Sequence, residues 1–251
     1  MTRNEELTQD TTTIFDTTFT VTPGVVVPTV NDVSLDNNAK DIEAAMLFID
    51  IKKSTHIVDM VQRETAARMY KAFLKGVTRI ALANGGDVRS FNGDGVLAVF
   101  VGVGKCDNAV RAAMEMKHFF QQTLMPRLEK YKLSNQALRS IQFDFGIGID
   151  LGDILVIKAG IGGENNRDLV WVGSATNHAV KLAAQANGIY HIHISAAIYS
   201  KLSDIMKYKE EPAFGNLATL FRKEMWVSHL PLILNGYFGQ VYATSYCWII
   251  S

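Results

Sequence analysis

The chain has 251 residues, 48% of them hydrophobic, which is room for one large domain or one domain with extensions around a sizeable core. Lysine plus arginine equals aspartate plus glutamate at 25 each, so no global basic field recruits nucleic acid or acidic lipid, and an anionic ligand has to be held locally. Two cysteines far apart, Cys106 and Cys247, argue against a disulfide framework; no run approaches the ~18 apolar residues of a membrane span, and a cytoplasmic protein with no membrane or nucleic-acid partner is expected.

Residues 1 to about 39 are rich in Thr, Asp and Asn, are broken by Thr22-Pro23-Gly24 and Val27-Pro28, and show no sustained helical period. They read as a partly irregular N-terminal arm (a tether, a dimer-swapped extension or a disordered tail) ahead of a domain over 40–251. Ala44 to Ile51 reads as a buried central strand, inside which Asp50 needs a metal, a cation or a hydrogen-bonding role. Lys52-Lys53-Ser54-Thr55 is a cationic turn suited to a phosphate or simply solvated. Glu64 to Ala83 places Met69, Phe73, Val77, Ile80 and Ala81 at helical spacing and closes on Asn84-Gly85-Gly86. Two strand-forming runs, Gly85 to Ser90 and Val96 to Phe100, then flank Phe91-Asn92-Gly93-Asp94-Gly95, a strong hairpin signal. Asp94 at its tip is either a turn former or a second carboxylate beside Asp50.

A second helix is predicted from Asp107 to Tyr131, with Val110, Met114, Phe120, Leu124 and Leu128 on one side and a kink or early stop at Pro126. Ile141 to Asp150 alternates as a strand, Gly152-Asp153 reads as a turn into Ile154 to Ile157, and a loop from Gly160 to Asn166 leads to a strand at Leu169 to Val172. A helix through Lys181 to Ala186 follows, then a strand from Ile189 to Ile194. On it His191 and His193 share one face as hydrogen-bonded or surface residues rather than metal ligands. A short helix from Ser195 to Leu202 and one or two strands in Val241 to Ile250, with Gly236 and Gly239 in turns, complete the chain. This order predicts an α+β sandwich, an antiparallel or mixed sheet with helices over one face, and a ferredoxin-like core fits it.

With Asp50 ending the first strand and Asp94 capping the hairpin, two hard carboxylates converge beside Lys52, Lys53, Ser54 and Thr55. Mg²⁺ prefers such a set, completed by water and substrate phosphates, and phosphoryl transfer is the natural reaction class. Three ordered motifs carry a resemblance: Phe48-Ile49-Asp50-Ile51 with Thr55, Phe91 to Phe100, and Val172-Gly173 with Asn177-His178-Ala179-Val180-Lys181-Leu182. Together, over about residues 44 to 200, they resemble the catalytic domain of class III nucleotide cyclases. The resemblance implies a ferredoxin-like cyclase core, an NTP substrate, and a head-to-tail homodimer with active sites at its interface. It also implies two Mg²⁺ or Mn²⁺ ions per site, held by Asp50, the Ile51 carbonyl and Asp94. Asn177 would orient the ribose, and Lys181, four positions on and on the same helix face, would support the transition state.

Three positions depart from the adenylate cyclase pattern. Ser90 stands where those enzymes carry a Lys, four residues before the second metal Asp, and Val170 stands where they carry Asp or Thr. Lys181 replaces an Arg, keeping the charge and losing the planar fork. Ser90, Asn92, Val170 and Trp171 then form the candidate base pocket, Trp171 as core or interface packing first and a stacking platform second. Because both metal aspartates and Asn177 are kept, a rewritten pocket is favoured over decay, and the chain is similar to the pyrimidine nucleotide cyclases of bacterial anti-phage (Pycsar) signalling. Those enzymes convert UTP or CTP to the 3′,5′-cyclic monophosphate, which activates a separate effector. Ser90 both donates and accepts, so either base is served, with UTP favoured. The alternatives are an adenylate cyclase with an atypical pocket and an inactive nucleotide-binding homologue. No Lys or Arg follows Lys223, which leaves Lys52, Lys53, Ser54 and Thr55 to carry the polyphosphate. His178 belongs either on the helix surface or toward the substrate.

Overall fold

The computed structural model describes residues 1–134, 136–161, 166–186, 188–213, 216–229 and 239–250. Its first element corrects the expectation of an arm without helical period: α1 (Arg3–Asp16) is a helix none of whose residues is buried. It is held by a capping box in which the Thr2 N–H donates to Glu5 Oε2 at 2.7 Å and the Glu5 N–H to Thr2 Oγ1 at 3.3 Å. The hydroxyls of Thr8, Thr11 and Thr13 donate to carbonyls four residues back at 2.7–2.9 Å, so a threonine-rich stretch is satisfied inside the helix. Next, β1 (Thr20–Pro23) pairs in parallel with the start of β2 (Asn38–Ile51), so the arm joins the sheet.

Strand β2 starts at Asn38, ahead of the predicted Ala44, and every residue from Ala44 to Ile49 is buried. A short helix α2 (Ser54–Met60) and the long α3 (Arg63–Ala83) follow, and α3 buries Met69, Phe73, Val77, Ile80 and Ala81 as their spacing predicts. The expected hairpin forms from β3 (Asp87–Asn92) and β4 (Gly95–Phe100), closed by the Asn92–Gly95 pair with Gly93 at φ +64°. Helix α4 (Lys105–Phe119) passes through a π-helical turn, Phe120–Leu124, into α5 (Met125–Ser134). Pro126 has no N–H to give the preceding turn, and the chain widens just before it: the Met125 N–H reaches back to the Phe120 carbonyl.

Strand β5 (Phe145–Gly160) begins at Phe145 rather than Ile141 and runs unbroken through Gly152-Asp153, where a turn was expected. Those residues pair with Ala44 and Glu43 of β2, and Gly152 faces helix α6 (Ser174–Gln185), where a Cβ would meet the Ala175 Cβ at 3.2 Å. That glycine serves close approach, the other meaning of glycine in a strand pattern. Between β5 and α6 lies β6 (Arg167–Val172); after α6 come β7 (Ile192–Ser195), α7 (Ala196–Lys201), α8 (Asp204–Lys207), β8 (Tyr208–Ala213), β9 (Asn216–Glu224), β10 (Val227–His229) and β11 (Val241–Thr244). Most of the Gly160 to Asn166 loop, and Gly236, lie outside the described residues.

The main sheet has the order β10-β11-β7-β5-β2-β4-β3, with β1 on β2 and β6 on β5, while β8 and β9 form a separate ribbon. Strand β7 is parallel to β5 and β1 to β2, the other pairs being antiparallel, so the sheet is mixed. One face presents Leu47, Ile49, Ala98, Ile147 and Ile149 to α3 and α4. The other presents Met46, Phe48, Leu97, Val99, Ile154 and Val156 toward Ala175, Ala179 and Ala183 of α6. Helices therefore cover both faces, which corrects the one-face expectation; an unbroken apolar strand such as β2 is apolar on both sides and requires cover on both.

No helix among the described residues is long and apolar enough to cross a membrane. Cys106, buried at 5% exposure, has its thiol pushed up to about 11 by burial, whereas Cys247 is exposed. Native protein at pH 8 should therefore take up one equivalent of iodoacetamide, mapped by mass spectrometry to Cys247, and a second only after denaturation.

Candidate active site

The last β2–β4 pair is Ile49 with Val96, so Asp50 comes to lie beside the hairpin tip at Asp94-Gly95. The Ile51 N–H donates to Asp94 Oδ2 at 3.2 Å. Asp50 is pushed up to about 7, first by burial, then by a hydrogen bond to Asp94 and by its charge, with Lys52 and the Ile51 N–H opposing. The two carboxyl groups lie within hydrogen-bonding reach of each other. Gly95 makes the approach possible: a Cβ there would stand 2.5 Å from Phe48 Cζ and 3.2 Å from Asp50 Oδ1. A cation relieves the repulsion of two facing carboxylates, so the residues fit a divalent metal. Among the described residues no three of His, Cys, Asp and Glu cluster as metal ligands. Two carboxylates alone would leave further coordination positions of a bound ion to substrate oxygens and water.

Beyond Ile51, Lys53 holds the left-handed conformation at φ 54°, a strain that persists where surrounding structure over-determines it. Lys53 and Thr55 are exposed and Ser54 half-buried at the start of α2. The Tyr70 hydroxyl donates to the Ser54 carbonyl at 3.0 Å, and its phenol is pushed up by burial and by the Asp94 charge, which places it beside the carboxylate pair. Lys52 behaves differently from its neighbours: its ammonium donates to the carbonyls of Ala183 at 2.5 Å and Ala184 at 2.8 Å, at the end of α6. On α6 itself, Asn177 is exposed and Lys181 half-buried. His178 turns inward, its Nδ1 2.9 Å from Oδ2 of the buried Asp150 on β5, so this ring edge faces the strand rather than the helix surface.

No family model matches the sequence. A uridylate cyclase of Xanthomonas perforans is 34% identical over 224 residues, covering 88% of this chain and 90% of that protein. One from Burkholderia cepacia is 35% identical over 184 residues, 72% and 76% of the two chains. The chain belongs to the uridylate cyclase family. A bacterial light-regulated adenylyl cyclase has the same fold at a TM-score of 0.64 and 18% identity, over 84% of this chain and 55% of that one. Uridylate cyclase membership makes the chain an enzyme, a pyrimidine nucleotide cyclase and so a lyase, as the sequence resemblance implied.

In this uridylate cyclase family member the remaining candidates divide. Ser90 and Asn92 come together on β3, the Ser90 hydroxyl donating to Asn92 Oδ1 at 3.0 Å. Val170 and Trp171 do not: they are neighbours on β6, where Leu169 and Trp171 turn to the core beside α6 and Val170 is 42% exposed. Adjacent strand residues face opposite ways, so the two line no common surface. Three features escaped the sequence reading. Gly95 carried a legible signal, a glycine directly after the tip carboxylate. Gly146 and Gly148 alternate within Phe145 to Ile149, the pattern of a strand that something approaches closely: a Cβ on Gly148 would overlap the Ala179 carbonyl and the Ala183 nitrogen of α6. Tyr70 carried no signal beyond its place on α3.

Of the two histidines around β7, His191 takes the hydrogen-bonded reading. His191 is buried and its Nε2 lies 2.8 Å from Asp144 Oδ1. Burial works against Asp144's charge, but the His191 and Phe145 N–H hydrogen bonds prevail and hold its carboxyl below the ordinary range. A carboxyl depressed in the folded state stabilises above its unfolded value near 3.9 and loses that contribution as pH falls through the folded value. Chemical denaturation of wild type and Asp144→Asn should therefore differ by about 1 kcal/mol at pH 6, a difference that shrinks as pH falls through the depressed folded-state value of Asp144.

Proposed function

We propose that this cyclase converts UTP to 3′,5′-cyclic UMP and pyrophosphate, with CTP as the second candidate, at sites shared between two copies arranged head to tail. The observation that carries the reading is the Asp50–Asp94 pair at the sheet edge of a uridylate cyclase family member. A bond forms between the ribose 3′-oxygen and the α-phosphorus, the bond from that phosphorus to the bridging oxygen breaks, and the 3′-hydroxyl proton is lost. Asp50, Asp94 and the Ile51 carbonyl would hold Mg²⁺ or Mn²⁺, two ions per site, whose chemistry is to acidify the attacking hydroxyl and offset charge on the departing pyrophosphate.

The chain's own residues do the rest by position and charge. The Asn177 amide orients the ribose of a nucleotide seated on the partner copy's carboxylates. One turn on, the Lys181 ammonium meets the charge that develops at the α-phosphate. Lys53, Ser54 and Thr55, at the start of α2 just after Ile51, would take the polyphosphate. Ser90 reads the base edge; a hydroxyl that donates and accepts suits uracil's alternating acceptors and donor. The cyclic nucleotide would then act on a separate effector as an anti-phage second messenger.

Incubating the protein with each of the four NTPs and Mn²⁺, then separating products by chromatography, tests the reading. Cyclic UMP is expected, with cyclic CMP as the weaker product; cyclic AMP alone, or binding without turnover under any metal, would overturn it.

A further inference from the structure

We propose that Lys52 is a positioning residue for cyclisation: its ammonium ties the end of strand β2 to the C-terminal turn of α6 and so sets where Asn177 and Lys181 stand. The proposal rests on the reading of the site as one shared between two copies. Lys52 follows Ile51 directly, and its backbone N–H donates to the Asp144 carbonyl at 2.8 Å, which fixes its Cα to the start of β5. From there the side chain reaches α6 and donates to the Ala183 and Ala184 carbonyls. Those carbonyls belong to the last turn of a helix that has no basic residue of its own there. Lys52 thus takes the place of a C-terminal cation, satisfying carbonyls that have no partner within the helix and meeting the negative end of its dipole.

The passage that Lys52 uses is built for it. Gly146 pairs with Asp50 across β2 and β5, and a Cβ on Gly146 would stand 2.8 Å from Lys52 Cε and overlap the Ala183 carbonyl oxygen. One glycine therefore admits both the lysine stem and the helix end. A lysine that serves a phosphate from a surface turn keeps its head in water; this one spends two of its three N–H donors on helix carbonyls. The geometry thus separates Lys52 from Lys53, Ser54 and Thr55, with which the sequence grouped it. Because Asp50 and Asp94 serve one site while α6 of the same chain serves the other, Lys52 is a link between the two sites inside one chain.

Mixed dimers test this. Two differently tagged copies are coexpressed, one carrying Asp94→Asn and the other Lys181→Met, and the heterodimer is isolated by both tags. Its one complete site takes its carboxylates from the Lys181→Met chain and its α6 from the Asp94→Asn chain. Lys52→Met, which keeps the stem and removes the ammonium, is then added to either chain. In the α6-donating chain it should lower the restored kcat about tenfold with KM for UTP within about twofold, the effect of a misplaced catalytic group. In the carboxylate-donating chain, where Lys52 only offsets charge at Asp50, the loss of kcat should be clearly smaller, within about threefold, which also shows that the variant folds and assembles. A raised KM that follows the carboxylate-donating chain would make Lys52 a phosphate ligand and overturn the proposal. So would an equal loss from both placements, the mark of a general structural role, or no loss from either. If the unmodified heterodimer shows no restored activity, the shared-site reading fails and the proposal falls with it.

Discussion

Asp94→Asn should lower turnover of UTP by roughly 10³-fold or more, a loss of about 4 kcal/mol of transition-state stabilisation, while leaving the fold in place. The amide is close to isosteric with the carboxylate. Its oxygen can still accept from the Ile51 N–H and its nitrogen can donate to Asp50, so no buried donor is orphaned. On the proposed reading, what is lost is one of the two negative charges that would hold a divalent cation at the end of β2. The same substitution removes the like charge that helps raise Asp50 to about 7. Above that pH the wild-type pair holds two facing charges, and the variant holds one. Thermal unfolding in EDTA at pH 8 should therefore show an unchanged or higher midpoint for the variant, alongside the lost activity. Turnover within tenfold of wild type would remove Asp94 from the reaction. A collapsed midpoint would make its role structural.

Gly148→Ala should be among the most damaging small substitutions at the described residues. Its methyl group would occupy space held by the Ala179 carbonyl oxygen and the Ala183 nitrogen, both backbone atoms of α6 that no rotamer change can move. The helix must lift from β5 or the strand must bend. The cost should lie at or above the upper end of overpacking effects, about 3 kcal/mol, read as a lower denaturant midpoint. Activity should fall further than stability explains, because α6 carries Asn177 and Lys181. At a urea concentration where both proteins are still folded, kcat for the variant should remain depressed. An alanine tolerated within about 0.5 kcal/mol would mean that α6 does not sit against β5 as described.

Much of what this fold writes locally was legible in the sequence. The hairpin at Asn92 to Gly95 announces itself through turn chemistry, and α3 through the spacing of Met69, Phe73, Val77 and Ile80. The carboxylate pair followed from those two local facts plus the strand at Asp50. The features that escaped depend on partners far along the chain or on signals with two meanings. Lys52 sits in a cationic turn, and nothing near it tells that its ammonium binds carbonyls 131 and 132 residues away. Gly152 carries the same letter whether a chain turns or a helix approaches. Helix α1 was hidden because threonine lowers helix propensity and the helix has no buried face to set a period; its caps and back-bonded hydroxyls make up the difference. Val170 and Trp171 were grouped by their motif, but the strand's alternation separates them.

The long ladder between β2 and β5 bears on how the enzyme is made. Asp50 pairs across it with Gly146, and the register runs on to Ala39 with Ile157, so the two central strands meet only after a long intervening segment has been laid down. Pairings of that sequence separation slow folding, because chain closure has to precede any stabilising contact. On the ribosome, β2 would emerge with its apolar run exposed and could first pair with β4, waiting for residues 145–157 to complete its other edge. A nascent chain stalled before Phe145 would carry Asp50 on a strand with one open edge and Asp94 on the hairpin beside it, a species suited to aggregation rather than catalysis.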